Sequence, residues 1–115
     1  MKENIILDKS FGFALRTIEL CQELQKRHQF VLADQLLRSG TSIGANVEEA
    51  TAAQSRKDFI SKMSIASKEA RESRYWLRLL DRSQAVKKDY SGYITDATEI
   101  VGILTAIVKT ASGRA

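Results

Sequence analysis

Residues 37–50 read LRSGTSIGANVEEA, and how that stretch is read decides the fold. It holds two glycines, three hydroxyl side chains, an asparagine and a Glu pair. A phosphate-binding loop would close on Gly-Lys-Ser/Thr and follow a strand, and this stretch does neither. Placed on a helix spanning 32–53, its residues sort into three stripes at about 100° per residue. Leu32, Leu36, Ile43, Val47 and Ala50 form an apolar face. Ala33, Leu37, Gly40, Gly44 and Thr51 lie beside it. Gln35, Arg38, Ser42, Asn46 and Glu49 share a polar stripe. An interior glycine costs a helix roughly 1 kcal/mol relative to alanine. Gly40 and Gly44 are four residues apart, one above the other, where missing Cβ atoms admit a close neighbour. They are expected to be close-packing positions. On periodicity alone, a flexible loop over 39–44 remains the competing reading.

The polar stripe has three readings: solvated surface, a hydrogen-bonded network between helices or subunits, or a ligand site. The network is expected, with Arg38 paired to Glu49 of a neighbouring element or to Glu72, and Ser42 and Asn46 between them. Glu49, Glu69 and Glu72 are the acids that might converge on a paired-carboxylate site. Di-iron bundles need several inward Glu residues and Glu-x-x-His, and the lone His28 follows no such Glu. No Ser-His-acid arrangement has credible spacing. One Cys and one His leave little for a transition-metal site. We therefore expect no catalytic, cofactor-binding or metal-binding residues and no enzyme activity. A metal-binding or enzymatic bundle is the remote alternative.

Working outward, the rest of the chain repeats the 3.6-residue period and contains no proline. A first helix is expected at 10–28. Phe11, Ala14, Leu15, Ile18, Cys21 and Leu24 form its core stripe, and Phe13 and Leu20 a second buried surface. The second helix spans 30–53. A third, at 56–82, starts from Ser55, with Asp58 three residues later as in a capping box. Its core face is Phe59, Met63, Ala66, Ala70, Leu77 and Leu80, with Ser73 inside it. Ile65, Trp76 and Leu79 lie on a separate side, which a second subunit would cover. A fourth helix at 90–111 carries a wide apolar face from Tyr93 to Ala111. One domain covering 1–115 is expected: all-α, an antiparallel up-down four-helix bundle.

A chain 43% hydrophobic is too apolar to be disordered. Cys21 excludes an intrachain disulfide and reads as a small buried hydrophobe. With no secretory signal pattern and no run of eighteen uninterrupted apolar residues, a cytoplasmic protein without a membrane partner is expected.

From 37–50 on through SRKDFISKMSIASKEARESRYWLRLL at 55–80, the chain resembles the four-helix-bundle proteins encoded in intervening sequences of bacterial 23S ribosomal RNA genes. These are often labelled S23 ribosomal proteins. The family pattern falls here on Arg38, Ser42, Ile43, Asn46 and Glu49, then Ser55, Phe59, Ala66, Glu69 and Glu72. The resemblance implies the same bundle and a ring-like homopentamer, with no established enzyme activity. Relatives include the accessory protein of diversity-generating retroelements, thought to bind nucleic acid and a reverse transcriptase through a basic surface. A reverse transcriptase is thus a partner that the resemblance implies.

Charge is uneven along the chain. Residues 1–54 carry six basic and seven acidic side chains, and residues 55–115 carry twelve and seven. Lys57, Lys68, Arg71, Arg74, Arg78 and Arg82 fall within an arc of about 120° on helix three. Lys87 and Lys88 extend it, and Tyr75 lies within it. An oligomeric scaffold is the first functional expectation. The alternative is weak, non-sequence-specific RNA or DNA binding by this stripe, with Tyr75 stacking on an unpaired base.

Overall fold

The computed structural model describes residues 2–113 as four helices: α1 (Lys2–Lys26), α2 (Phe30–Thr51), α3 (Arg56–Ser83) and α4 (Ser91–Ala111). Each helix packs on its neighbours in sequence, and α4 closes back on α1. This is an antiparallel up-down bundle. Its 44 Å length matches the roughly 42 Å of the 28-residue α3.

α2 runs unbroken through both glycines. An added Cβ on Gly40 would sit 2.7 Å from Thr17 Cγ2 and 2.9 Å from Thr17 Oγ1. On Gly44 it would sit 3.4 Å from the Ser10 carbonyl and hydroxyl oxygens. The glycines therefore face α1, where Ser10 and Thr17 are buried against them. Only Gly40 stands at a distance no side chain tolerates.

α1 departs from the expected helix in two ways. The helix starts eight residues earlier than periodicity predicts, because Ile6 and Ser10 already belong to its buried face. That face is Ile6, Ser10, Phe13, Thr17, Leu20 and Leu24, spaced alternately four and three residues apart. Phe11, Leu15 and Ile18, expected in the core, are instead 58%, 52% and 39% exposed. The seam with α2 demands small residues, and small polar Ser10 and Thr17 dilute the hydrophobic signal of the buried stripe. Cys21 is buried as expected, and its Sγ donates to the Ala33 carbonyl at 3.3 Å. Burial, and secondarily Asp34, push its thiol pKa up to about 11, so it stays protonated and unreactive at neutral pH.

The turns are locally encoded. His28 takes a left-handed φ of 64° beyond α1, and the Gln29 N–H reaches back to the Leu24 carbonyl at 2.9 Å. The Ser55 hydroxyl accepts from the Asp58 N–H at 3.0 Å, capping α3. Gln84, also left-handed, ends α3, and its side chain bonds Lys88 backbone N–H and C=O across the connection. Tyr90 fills the end of the core and donates to the Val86 carbonyl at 2.8 Å. α4 has the length and apolar character of a membrane span, but its Ala97, Ile100, Val101, Leu104 and Ile107 are buried in the bundle.

Between α2 and α3, Ser73 Oγ donates to Ser39 Oγ at 2.8 Å, both fully buried. Ser73 Oγ also lies 2.9 Å from the Glu69 carbonyl, and Ser39 Oγ 3.4 Å from that of Leu36. The pair is therefore satisfied within the core.

Candidate functional site

The polar stripe of α2 does not form one internal network. Arg38 reaches across to α3, with Nη1 3.0 Å from Glu69 Oε2 and Nη2 bonded to Glu72 Oε2. Glu72 Oε2 also accepts from Trp76 Nε1 at 3.2 Å. The Glu72 hydrogen bond is the main cause of a raised Arg38 pKa. Glu49, the other partner expected for Arg38, instead pairs with Lys62 at 3.1 Å, which raises the Lys62 pKa. Glu49 lies eleven residues, about three turns, along α2 from Arg38. Ser42 and Asn46 turn inward on their own helix: Ser42 Oγ donates to the Arg38 carbonyl at 2.6 Å, and Asn46 Nδ2 to the Ser42 carbonyl at 2.9 Å. The stripe is thus a half-solvated α2–α3 seam with two separate ion-pair clusters. Glu49, Glu69 and Glu72 each face a cation rather than one another. Among the described residues no group of three His, Cys, Asp or Glu side chains converges to hold a metal.

Two apolar surfaces flank α2. On its α3 side, Ile65 is 40% and Leu79 38% exposed, with Trp76 half-buried. On its α1 side, Phe11, Leu15 and Ile18 line a groove floored by Ala14, Thr41, Gly44 and Ala45. Periodicity grouped these three large side chains correctly but assigned them to the core. The missed signal was the four-three spacing from Ile6 through Leu24, with its two small hydroxyl residues.

The basic residues of α3 sit on the side facing α4 and solvent. Lys57, Lys68, Arg71, Arg78 and Arg82 are exposed, and Arg74 is partly so. Tyr75 is half-exposed, its ring edge-on to Trp76 at 5.2 Å. None of these six cations has a carboxylate within ion-pair distance among the described residues; the cations that do are Lys9, Arg16, Arg38, Lys62 and Lys88. Lys88 leaves the expected stripe, because its ammonium pairs with Glu23 of α1 at 3.2 Å. Lys87 remains exposed at the following turn. The acids of α4 do not neutralise the arc either. Asp96 and Glu99 face α1, where they pair with Arg16 and Lys9. On α3, Glu69, Glu72 and Lys62 lie toward α2, where they pair with Arg38 and Glu49, and the six unpaired cations lie outside that seam.

The family model of the 23S rRNA-intervening sequence protein matches residues 2–106, which include α1 to α3 and most of α4. The chain belongs to this family. It is also similar to a crystal structure of a protein with unknown function from the S23 ribosomal protein family of Bacteroides thetaiotaomicron. The two are 49% identical and superpose with a TM-score of 0.89, over 95% of this chain and 99% of that one. No curated protein matches the chain. In this chain, the pattern residues Arg38, Glu69 and Glu72 meet in one ion-pair cluster. Ser42 and Asn46 back-bond along α2, and Ser55 caps α3. Of the residues that carried the resemblance, Arg38, Glu69 and Glu72 thus join the second and third helices.

Proposed function

We propose that this protein is a non-enzymatic, self-associating bundle that serves as a scaffold. The observation that carries this reading is the exposed row of Phe11, Leu15 and Ile18 along an open groove. Three large apolar side chains in one row on a small domain mark an interaction surface. The Ile65–Trp76–Leu79 patch offers a second, different surface on the other side of α2. In a square four-helix bundle such faces lie roughly a quarter turn apart. Contact between two different faces is head-to-tail and, at that angle, closes rings of about four or five copies. Of these, the homopentamer is the one that the family resemblance favours. Light scattering at micromolar concentration should give a multimer, and Leu15→Asp should reduce it to monomers of unchanged helicity. A monomeric wild-type protein would overturn the reading.

A second reading is favoured by the unpaired cations of α3. Unpaired cations in one arc suit a phosphate backbone, and a ring repeats the arc on every copy. Tyr75 adds a surface on which an unpaired base can stack. Labelled RNA and DNA should bind at low salt and weaken by about tenfold or more when salt is raised severalfold. Arg71→Glu, Arg74→Glu and Arg78→Glu together should abolish binding while preserving the helical spectrum. Absence of binding at low salt, or survival in the triple variant, defeats this reading.

A further inference from the structure

We propose that Ser64, Ser67, Arg71, Thr105 and Lys109 form a discrete phosphate-binding site in the groove between α3 and α4. It deepens the nucleic-acid reading and rests on it only for the source of the phosphate, which is either a nucleic-acid backbone or a free phosphate group.

The groove has a volume of about 280 Å³ and is lined by these five residues and Val108. Two linings are cationic, three carry hydroxyls, and none is a carboxylate. Phosphate recognition uses that composition: guanidinium and ammonium groups for charge, hydroxyl donors for direction. The spacing places them together. Ser64, Ser67 and Arg71 recur on one face of α3, and Thr105, Val108 and Lys109 recur on one face of α4.

Arg71 is held in place. Its Nη2 donates to Thr105 Oγ1 at 3.2 Å, and Thr105 Oγ1 in turn donates to the Val101 carbonyl at 2.7 Å. This relay orients the guanidinium at the groove and leaves most of its five donors unused. The serines differ from most other helical hydroxyls of the chain. Ser10, Ser39, Thr41, Ser42, Thr51, Ser73 and Ser83 bond back to carbonyls of their own helices. Ser64 and Ser67 make no hydrogen bond among the described residues, so both hydroxyls are free to donate into the groove. Arg71 and Lys109 also lack a carboxylate partner within ion-pair distance among the described residues, so an anion would have no competitor to displace. Arg71 lies within the basic arc, whereas Ser64, Ser67, Thr105 and Lys109 add direction to what is otherwise a diffuse charge.

The test follows amide and arginine side-chain NMR resonances of the full chain during titration with inorganic phosphate at constant ionic strength. In parallel, a labelled single-stranded oligonucleotide is titrated by anisotropy. The variant Ser67→Ala/Thr105→Val/Lys109→Gln removes groove groups while leaving the cations of the α3 arc in place, and its fold is checked by circular dichroism. Lys57→Gln controls for general charge. Saturable shifts confined to the groove residues are expected, together with about tenfold weaker phosphate and oligonucleotide binding in the triple variant and little change in the control. Saturable phosphate binding without oligonucleotide binding supports the site with free phosphate as its source, and defeats the nucleic-acid reading alone. Oligonucleotide binding unaffected by the triple variant, with phosphate shifts spread evenly over basic surfaces, overturns the site and leaves the nucleic-acid reading standing.

Discussion

Gly40→Ala should destabilise the bundle, although alanine is the better helix former. An added Cβ lands 2.7 Å from Thr17 Cγ2, 2.9 Å from Thr17 Oγ1 and 3.2 Å from Thr17 Cβ. Thr17 is buried and β-branched, so its χ1 is restricted, and its Cβ as well as both terminal atoms lies close to the added atom. Overpacking costs about 1–3 kcal/mol, against which the gain in helix propensity returns about 1 kcal/mol. A net loss of up to about 2 kcal/mol is expected in urea unfolding, and a larger one for Gly40→Val. The added Cβ of Gly44→Ala makes ordinary van der Waals contact at 3.4 Å, so propensity wins and stability stays level or rises by up to about 1 kcal/mol. Thr17→Ala removes the clashing atoms. The Thr17→Ala/Gly40→Ala double variant should therefore recover the overpacking cost, about 1–3 kcal/mol, relative to the sum of the single changes. If Gly40→Ala is as benign as Gly44→Ala, the helices are not held at glycine distance.

Tyr90→Ala should have a still larger effect. Tyr90 heads the fully buried side chains by volume and seals the end of the bundle where α3 hands over to α4. Truncating a buried aromatic costs about 3–5 kcal/mol, a large part of a domain's usual 5–15. Tyr90→Phe keeps the ring and loses the hydrogen bond to the Val86 carbonyl, for about 1 kcal/mol. The two variants together separate packing from polarity. A pH series adds an independent readout. Burial, with smaller contributions from Glu23, Asp81 and Tyr93, raises the Tyr90 pKa above its ordinary 10.0. A raised pKa stabilises the fold fully below the unfolded-state value, and that contribution fades as pH climbs through the folded one. Tyr90→Phe should therefore flatten the alkaline fall in stability. The part due to Cys21, between its ordinary 9.0 and about 11, should remain. A Tyr90→Ala protein that unfolds at the wild-type urea midpoint would show that this end of the bundle adds nothing to global stability.

Much of the architecture was legible in the chain. Residues 37–50 sort into apolar, small and polar stripes because a helix maps sequence spacing onto angle. Ser55 announces α3 because its hydroxyl meets an otherwise unpaired N–H, and such a cap needs only its own next three residues. The basic arc of α3 was equally visible, since exposure follows from the same angles. Local spacing could not settle matters between helices. In α1 it separated Phe11, Leu15 and Ile18 from Phe13 and Leu20, but gave no reason why the first group should face outward. That depends on α2 coming close enough at Gly40 to leave room for Thr17 and no bulkier side chain. Likewise, Arg38 meets Glu69 and Glu72, and Ser73 finds Ser39, because the helices pack at one fixed register. Angle belongs to each helix alone, whereas the distance between helices, and so which stripe is buried, exists only once all four have packed.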